Sequence, residues 1–549
     1  MPKFKNWEET LKLTPDKITA ARRALAEIQQ GAKAFDAIRH NPLPQGGFIA
    51  KHTIVAVYQQ MVKDGEIEAD ATLMAQIRSK PIRTLSGVTT VTVLTKPYPC
   101  PGECIFCPSD VRMPKSYLPD EPGAARAYQN DFDPFAQVST RIESLEAVGH
   151  PTDKIELLIL GGSWDAYPHD YQEWFLRRCF DAMNKVESNT LADAQVINET
   201  ATHRNVGLVI ETRPDLFNLN SLKRLRELGV TKVQMGAQSM DDRILTINRR
   251  GHSVSDTLYA AAMLRAAGFK FVIHWMPNLL GATLESDRLD FHRLWTAMCP
   301  DEIKIYPTQL LEDTILHQYW KQGEFIPYTT EELTHLIADI KPAIPPYCRV
   351  NRIIRDIPSP HVVDGNKRTS LRQDIQAELS RRGQSCQCIR CREVRGQSIN
   401  PKDLLLQDTI YHPFNAEEHF LSYVTPEQRI AGYLRLSLPG KASLQTKNTD
   451  PVSQMEPPDY KQLHEIMPDL AQAAIIREIH VYGQSLPLGE EQEGAAQHIG
   501  IGTRLLGEAE EIARQQGYKR LAVISAIGTR RYYESRGFKR GELYQFKDL

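Results

Sequence analysis

Cys100, Cys104 and Cys107 fall in the run Cys-Pro-Gly-Glu-Cys-Ile-Phe-Cys-Pro, a C-x3-C-x2-C spacing. Three thiolates on so short a loop can hold three irons of a [4Fe–4S] cluster. The fourth iron is then open to the amino and carboxylate groups of S-adenosylmethionine. One electron from such a cluster cleaves that cofactor to a 5′-deoxyadenosyl radical. A structural zinc knuckle is the competing use of these cysteines. The β-rich run at 88–95 that leads into the loop, and the Gly161-Gly162 pair that closes the next such run, favour the cluster. A second group, Cys386, Cys388 and Cys391, has C-x-C-x2-C spacing and reads as a structural zinc fastening a basic segment, with free thiols or a second redox cluster as alternatives. Tetrahedral zinc needs one more ligand, and Cys348, His361 and His412 are candidates that the sequence does not separate. Cys179, Cys299 and Cys348 otherwise read as buried thiols.

A third constellation lies near the C-terminus. Gln497-His-Ile-Gly500-Ile501-Gly502 has the Q-x-x-G-x-G form of an acyl-CoA pyrophosphate loop: the glycines permit close approach and the first N–H groups of the following helix point at phosphate. An apolar helix with Leu505, Leu506, Ala509, Ile512 and Ala513 follows, then Val523-Ile-Ser525 and Gly528-Thr-Arg-Arg-Tyr532-Tyr533. Together these runs resemble an acetyltransferase of the GNAT type. The resemblance implies that Glu478-Ile479-His480-Val481 lies along the pantetheine arm and that Tyr532 meets the thioester sulfur. An aromatic at that helix is also plausible as packing.

These residues need elements to carry them. Short β-rich runs at 88–95, 155–161, 206–212, 232–238, 269–276 and 302–308 alternate with amphipathic stretches at 134–148, 171–186, 219–228, 255–267, 284–298 and 309–321. Six such units predict a partial parallel (βα)6 barrel of the radical S-adenosylmethionine kind, with its chemistry at the C-terminal ends of the strands. The cysteine loop follows the first strand, and Gly161, Gly162, Glu211, Arg213 and Gln238 at later strand ends are expected to hold the cofactor. His274 and Lys304 read as satisfied core polar residues. After residue 400 strands follow one another (420–424, 432–437, 475–482), then a helix and a strand at 521–525, which predicts an α/β domain of GNAT type; 439–458 reads as a flexible insertion. The expected division is 1–79 helical and basic, 80–345 barrel, 346–400 basic and cysteine-rich, and 401–549 the acetyl-CoA domain.

The 549 residues carry a net charge of −2, so the whole chain does not advertise a nucleic-acid partner. Its distribution does better: residues 1–40 hold eight Lys or Arg against five acids, and 349–395 hold eleven against five. Such an excess suits phosphate contacts; a solvated basic face is the alternative. No apolar run is long enough for a membrane span and the N-terminus lacks a signal core, so a cytoplasmic home is expected.

Over nearly its whole length the sequence resembles the catalytic subunit of the Elongator complex in a free-standing, prokaryotic-like form. The runs that carry the likeness include Lys80-Pro-Ile-Arg83-Thr, Asp153-Lys154-Ile-Glu, Glu211-Thr-Arg213-Pro-Asp215, Gly236-Ala-Gln238-Ser239, Asn248-Arg-Arg-Gly251-His, Lys304-Ile-Tyr-Pro307 and Arg477-Glu478-Ile-His480-Val-Tyr-Gly483. The cysteines keep a shorter first gap than many eukaryotic members have. The resemblance implies a tRNA-modifying enzyme that attaches a carboxymethyl group to C5 of the wobble uridine, with acetyl-CoA as carbon source. It implies that Lys154 contacts the coenzyme where the two domains meet, and with it Tyr532 and Tyr533 become the candidate catalytic residues. Lys80, Arg83, Arg349, Arg352, Arg355 and Arg372 are expected to hold tRNA phosphates. The cofactors implied are a [4Fe–4S] cluster, S-adenosylmethionine, acetyl-CoA and a structural zinc. A homodimer is admitted, and nothing in the sequence requires accessory subunits. The competing functions are a protein-lysine acetyltransferase with Glu478 as general base, which leaves the cluster without work, and a tRNA-binding scaffold.

Overall fold

The computed structural model describes residues 12–80, 84–395, 399–414, 416–440, 459–482 and 500–549. Seven strands, β1 (Thr89–Leu94), β2 (Lys154–Leu160), β3 (Arg204–Thr212), β4 (Lys232–Gln238), β5 (Lys270–Trp275), β6 (Glu302–Ile305) and β7 (Arg349–Ile353), pair side by side in chain order. Every pairing is parallel. The sheet curls into the expected partial barrel, with one strand more than the six predicted. β7 falls in the stretch read as a linker, because Arg349-Val-Asn351-Arg352-Ile shows little apolar alternation. Its polar residues line the barrel interior, which is itself charged. The crossing helices cover the outer face, and Thr190, Asn218, Ser253, Thr283 and Thr329 each start one with a reciprocal capping box. Of the helix predicted at 309–321 only Ile315–Lys321 forms, and Thr330–Ile340 precedes β7.

The second sheet contains β8 (Leu405–Tyr411), β9 (Ala416–Val424), β10 (Ile430–Pro439), β11 (Ala473–Val481), β12 (Arg520–Val523), β13 (Lys539–Arg540) and β14 (Gln545–Asp548), in the order β13-β14-β12-β11-β10-β9-β8. β11 and β12 are parallel, and their pairing ends at Ile476 and Val523. β11 continues to Val481, still paired with β10 on its other side. Among the described residues a strand edge therefore opens where β12 departs. The insertion expected at 439–458 lies, apart from its first two residues, outside the described residues. Four N-terminal helices (Pro15–Gln29, Ala34–His40, Lys51–Lys63, Ala71–Ile77) close around a separate small core. No helix among the described residues is long and apolar enough to cross a membrane.

The two sheets share one continuous apolar core, and a buried charge cluster fastens them. Asp301, just before β6, receives Arg477 of β11 (Nη2 to Oδ2, 2.5 Å) and Arg435 of β10 (Nη1 to Oδ1, 3.4 Å). Glu418 of β9 receives Arg477 (2.9 Å) and Arg265 of the barrel (3.2 Å). All five side chains are buried to within 2 %. Burial alone would raise the Asp301 carboxyl, but Arg477, Arg435 and Arg265 draw it down to about 2. Nearby, the turn Ile527–Thr529 presses on the start of β3, where a Cβ on Gly528 would sit 2.7 Å from that of Arg204 and 2.8 Å from the Asn205 carbonyl oxygen.

Removing one partner from such a cluster strands buried cations. Asp301→Ala is expected to lower stability by about 3–5 kcal/mol in urea unfolding. The wild-type contribution has a defined pH window: the folded pKa lies below the unfolded one near 3.9, so the stabilisation is complete above pH ~4 and is lost as pH falls towards 2.

Candidate active site

The cysteine loop sits over the C-terminal end of the barrel, held by Ile105, which donates to the Asn248 carbonyl and accepts from the Leu316 amide. Cys104 is buried and Cys100 and Cys107 are half-buried. Arg250 Nη1 lies 3.4 Å from the Cys104 sulfur while its Nη2 donates to the Gly236 carbonyl at 2.6 Å. The Cys104 thiol is drawn down to about 5, by the adjoining Cys107 first and then by Arg250 and Arg213. Thiolates are the species that ligate iron. Arg213 is tied to Asp215 at 2.9 Å and to the Arg250 carbonyl at 2.9 Å, which leaves its buried Nη1 without a protein partner beside Gly102. Gln238, at φ +70° on the end of β4, buries an unpartnered Oε1. One orphaned guanidinium nitrogen and one orphaned amide oxygen fit a ligand that carries both a carboxylate and an amino group. Gly161 is required at its place, since a Cβ would run into the Thr95 hydroxyl, and Gly162 faces open space.

Below the loop the barrel interior is polar. Glu211 accepts from the Tyr117 hydroxyl at 2.8 Å and lies 3.7 Å from His274 Nδ1. Gln234 Oε1 meets both the Lys304 ammonium and His274 Nε2, the latter at 3.1 Å. Because the ammonium only donates, the amide orientation is fixed and His274 Nε2 carries a proton. Burial, followed by Lys304, pushes the His274 pKa far down, so the ring is neutral. Sequence reading treated His274 and Lys304 as core residues; they line a cavity instead. The signal was present in alternation, which sets both on inward positions of β5 and β6. Tyr117 was not singled out, since it belongs to no spacing that sequence can interpret, and Arg250 entered only as part of the run Asn248-Arg-Arg-Gly251-His, with no role of its own.

That cavity, about 1800 Å³, is continuous from Cys100, Cys104 and Cys107 to the second sheet. There it is lined by Glu478, Ile479, His480 and Val481 on β11, by Gly500 and Gly502, and by Tyr532 and Tyr533. Gly500 takes φ +66° as N-cap of the helix Ile501–Gln515, whose Ile501 is buried. A Cβ on Gly502 would come within 2.9 Å of the Tyr532 hydroxyl, so the loop and that tyrosine define one narrow slot. Arg536 covers the Tyr532 ring at 3.7 Å. Tyr533, 5 % exposed, packs edge-on against Tyr532 and Phe538. Gln497 lies outside the described residues. Lys154 opens β2 beside Arg204 and lines the same cavity, its pKa lowered by burial. Glu478 does not suit the general-base role. Burial would raise it, but Lys270 at 2.8 Å and Arg435 at 3.0 Å hold it well below the carboxylate range, as an ion already paired twice.

Of the basic residues expected on a tRNA face, Arg349, Arg355 and Arg372 are drawn inward. Arg349 is engaged with Glu393 (3.0 Å) and the Tyr482 hydroxyl (2.9 Å). Arg355 is engaged with Glu121 and Ser116, so its charge is largely matched within the protein. Arg372 donates to the Val350 carbonyl and is lowered to about 10 by burial and Arg390. Arg352, its side chain 48 % exposed, pairs with Asp356. Lys80 lines the cavity at φ +52°; Arg83 lies outside the described residues. The sulfurs of Cys386, Cys388 and Cys391 lie within 4.8 Å of one another, a ligand set for a thiophilic metal. No fourth His, Cys, Asp or Glu joins them among the described residues. His361 is bound to Asp120 and His412 to Glu417, and Cys348 contributes only its carbonyl, to the Ile389 amide.

Residues 98–291 match the Radical SAM superfamily, 300–381 the Radical_SAM C-terminal domain, and 494–538 the acetyltransferase (GNAT) family. The chain is 42 % identical over 477 residues to a tRNA uridine(34) acetyltransferase of Dehalococcoides mccartyi, covering 85 % of this chain and 99 % of that one. It is 34 % identical over 498 residues to Elongator complex protein 3 of Homo sapiens, covering 87 % of each. A solved structure of the archaeal Methanocaldococcus infernus Elp3 with its N-terminus deleted superposes with a TM-score of 0.71 at 37 % identity, covering 84 % of this chain and all of that one.

The slot between Gly502 and Tyr532 leaves no room for a side chain. Gly502→Val is expected to weaken CoA binding about tenfold or more in titration calorimetry, a cost of ~1.4 kcal/mol, with the circular dichroism of the folded protein retained.

Proposed function

The chain belongs to the family of the tRNA uridine(34) acetyltransferases and Elongator complex protein 3, and from that premise we propose that it is a tRNA-modifying enzyme that uses acetyl-CoA and a 5′-deoxyadenosyl radical to install a carboxymethyl group on C5 of the wobble uridine. The observation that carries this reading is the single cavity joining the cysteine loop to the Gly500–Gly502 slot. A lysine acetyltransferase has no use for such a passage, and Glu478, ion-paired twice, is a poor base for an incoming amine. C5 of uracil is not acidic and the methyl group of acetyl-CoA is a weak nucleophile, so a carbon–carbon bond between them favours a radical route.

In this reading Cys100, Cys104 and Cys107 hold the [4Fe–4S] cluster. Arg213, Gln238, Glu211 and the Gly161-Gly162 backbone hold S-adenosylmethionine, consistent with the orphaned Arg213 and Gln238 atoms. When bound, these two groups supply a carbon radical able to abstract hydrogen. The protein contributes a barrel interior with fixed polar walls, from which bound ligands displace the water. The edge of β11 at Glu478, Ile479 and His480 offers main-chain groups to the pantetheine arm, Val481 lines the same slot, and Gln497, Gly500, Ile501 and Gly502 receive the pyrophosphate. Tyr532 bounds the thioester end, Tyr533 supports it by packing, and Lys154 contacts the coenzyme at the junction. Cys386, Cys388 and Cys391 hold a structural zinc beside β7.

The N-terminal helices with Lys80, Arg83, Arg349, Arg352, Arg355 and Arg372 form the tRNA side of the molecule, and of the four arginines at 349–372 Arg352 is the best placed for phosphate because it is the most exposed. The anticodon base enters the barrel unstacked, as enzymes acting on bases require. The domain scheme 1–79, 80–345, 346–400 and 401–549 serves this function with one change: β7 belongs to the barrel. The reading suits a cytoplasmic enzyme that works alone or as a homodimer.

The test is anaerobic reconstitution with iron and sulfide, then incubation with S-adenosylmethionine, acetyl-CoA, tRNA and reductant, followed by nucleoside mass spectrometry. 5-Carboxymethyluridine is expected from the wild type and not from Cys104→Ala; lysine acetylation without nucleoside modification would overturn the reading. Metal analysis is expected to find about one zinc per chain, lost in Cys388→Ser while the reconstituted iron content stays.

A further inference from the structure

The end of the barrel that meets the second sheet is charged where parallel barrels ordinarily pack branched aliphatic side chains. Glu156 of β2, Lys232 of β4, Lys270 of β5 and Glu302 of β6 all line the cavity there, with Glu478 of β11 closing the row. Lys232 Nζ lies 2.7 Å from Glu156 and 3.3 Å from Glu302, and Asn351 of β7 donates to the other oxygen of Glu302 at 2.5 Å. Lys270 reaches Glu478 at 2.8 Å, so the row begins on the strand that flanks the coenzyme slot. Burial would lower the Lys232 pKa, but Glu156 and Glu302 raise it above its usual value, so the group is a permanent donor and never a base.

Removing these ions from water is costly, and a methionine or leucine floor would seal the barrel at less expense. What the row offers instead is a donor. An ammonium has three N–H groups: Glu156 takes one at 2.7 Å, and the two oxygens of Glu302, at 3.3 and 3.4 Å, take the others through long contacts that an incoming carbonyl oxygen can displace. We propose that Lys232, clamped by Glu156 and Glu302, receives the carbonyl oxygen of the acyl thioester at the point where the coenzyme slot opens into the barrel. The proposal rests on the function given above. An oxygen held at Lys232 leaves the methyl carbon directed along the lumen, and the next inward position on β4, Gln234, lies about 6.6 Å further on, where it joins His274 and Lys304. The same row makes the port selective: each added methylene of a longer acyl chain would be wedged against ammonium and carboxylate groups with no compensating bond.

The test needs neither cluster nor tRNA. The full-length protein is titrated calorimetrically with CoA, with S-ethyl-CoA, which lacks the carbonyl, and with the amide analogue of acetyl-CoA in which nitrogen replaces sulfur. The amide is expected to bind about tenfold more tightly than S-ethyl-CoA, one charge-assisted hydrogen bond's worth. This preference should collapse to within twofold in the charge-balanced double variant Lys232→Met, Glu156→Gln. A variant-free readout uses the analogue labelled with ¹³C at its carbonyl, whose infrared stretch is expected to move to lower wavenumber on binding wild type. CoA binding with no preference for the carbonyl and no shift of that stretch would overturn this proposal and leave the function standing. Failure to bind CoA at all would overturn both.

Discussion

Everything at the candidate site depends on where the second sheet meets the barrel, and that junction is set by Asp301. A carboxylate with no access to water exists as an ion only if its cations are delivered to it. Here two of them, Arg435 and Arg477, come from β10 and β11 and a third, Arg265, from a barrel helix. Neither unit satisfies the cluster alone. The geometry tolerates little displacement, since moving the sheet by an ångström would lengthen several buried ion pairs together. Arg477 and Glu478 are adjacent on β11, so the residue that locks the junction is next to the one that faces the cavity. The position of the slot relative to the barrel is thereby fixed by the same interaction that holds the domains together.

The barrel interior follows from what surrounds it. Near the cysteine loop the polar atoms are partly unsatisfied: Arg213 Nη1 and Gln238 Oε1 are buried without partners. At the opposite end the charges are matched pair by pair, in the row from Glu478 to Asn351. Between them Glu211, Gln234, His274 and Lys304 form a bonded set with a neutral imidazole. A lumen built this way stays hydrated until something displaces the water, which is consistent with a passage and inconsistent with the filled core of an ordinary barrel.

What could be read from sequence was what is local. The cysteine loop, the glycine slot and the apolar strands announce themselves through spacing within a dozen residues, and six of the seven barrel strands were legible for that reason. β7 was not, because alternation reports apolar burial on one face, and here only Val350 and Ile353 are apolar and buried, while Arg349 and Asn351 are half-buried among other charges and Arg352 is exposed. The same limit hid the roles of charged side chains. A surplus of arginines at 349–395 suggested an outward phosphate surface, yet Arg349 and Arg355 answer to Glu393 and Glu121, and Glu121 stands more than two hundred residues from its partner. Glu478 looked like a base until Lys270 and Arg435 were beside it. Such pairings are set by tertiary contact alone. The fourth ligand to Cys386, Cys388 and Cys391 was not to be found in sequence; of the candidates, His361 and His412 are paired with acids elsewhere, while Cys348 lies beside the cluster and meets it through its carbonyl, which accepts from the Ile389 amide.

Gln238 ends β4 with a left-handed backbone, φ +70°, just past an irregularity in its pairing with β5. That conformation costs a residue with a side chain on the order of 1 kcal/mol or more, a cost that the paired strand around it meets. Ligand binding at that strand end is thus relieved of an ordering penalty, and its entropy should resemble that of a rigid receptor. Substituting glycine there would free the backbone and shift the same cost onto association.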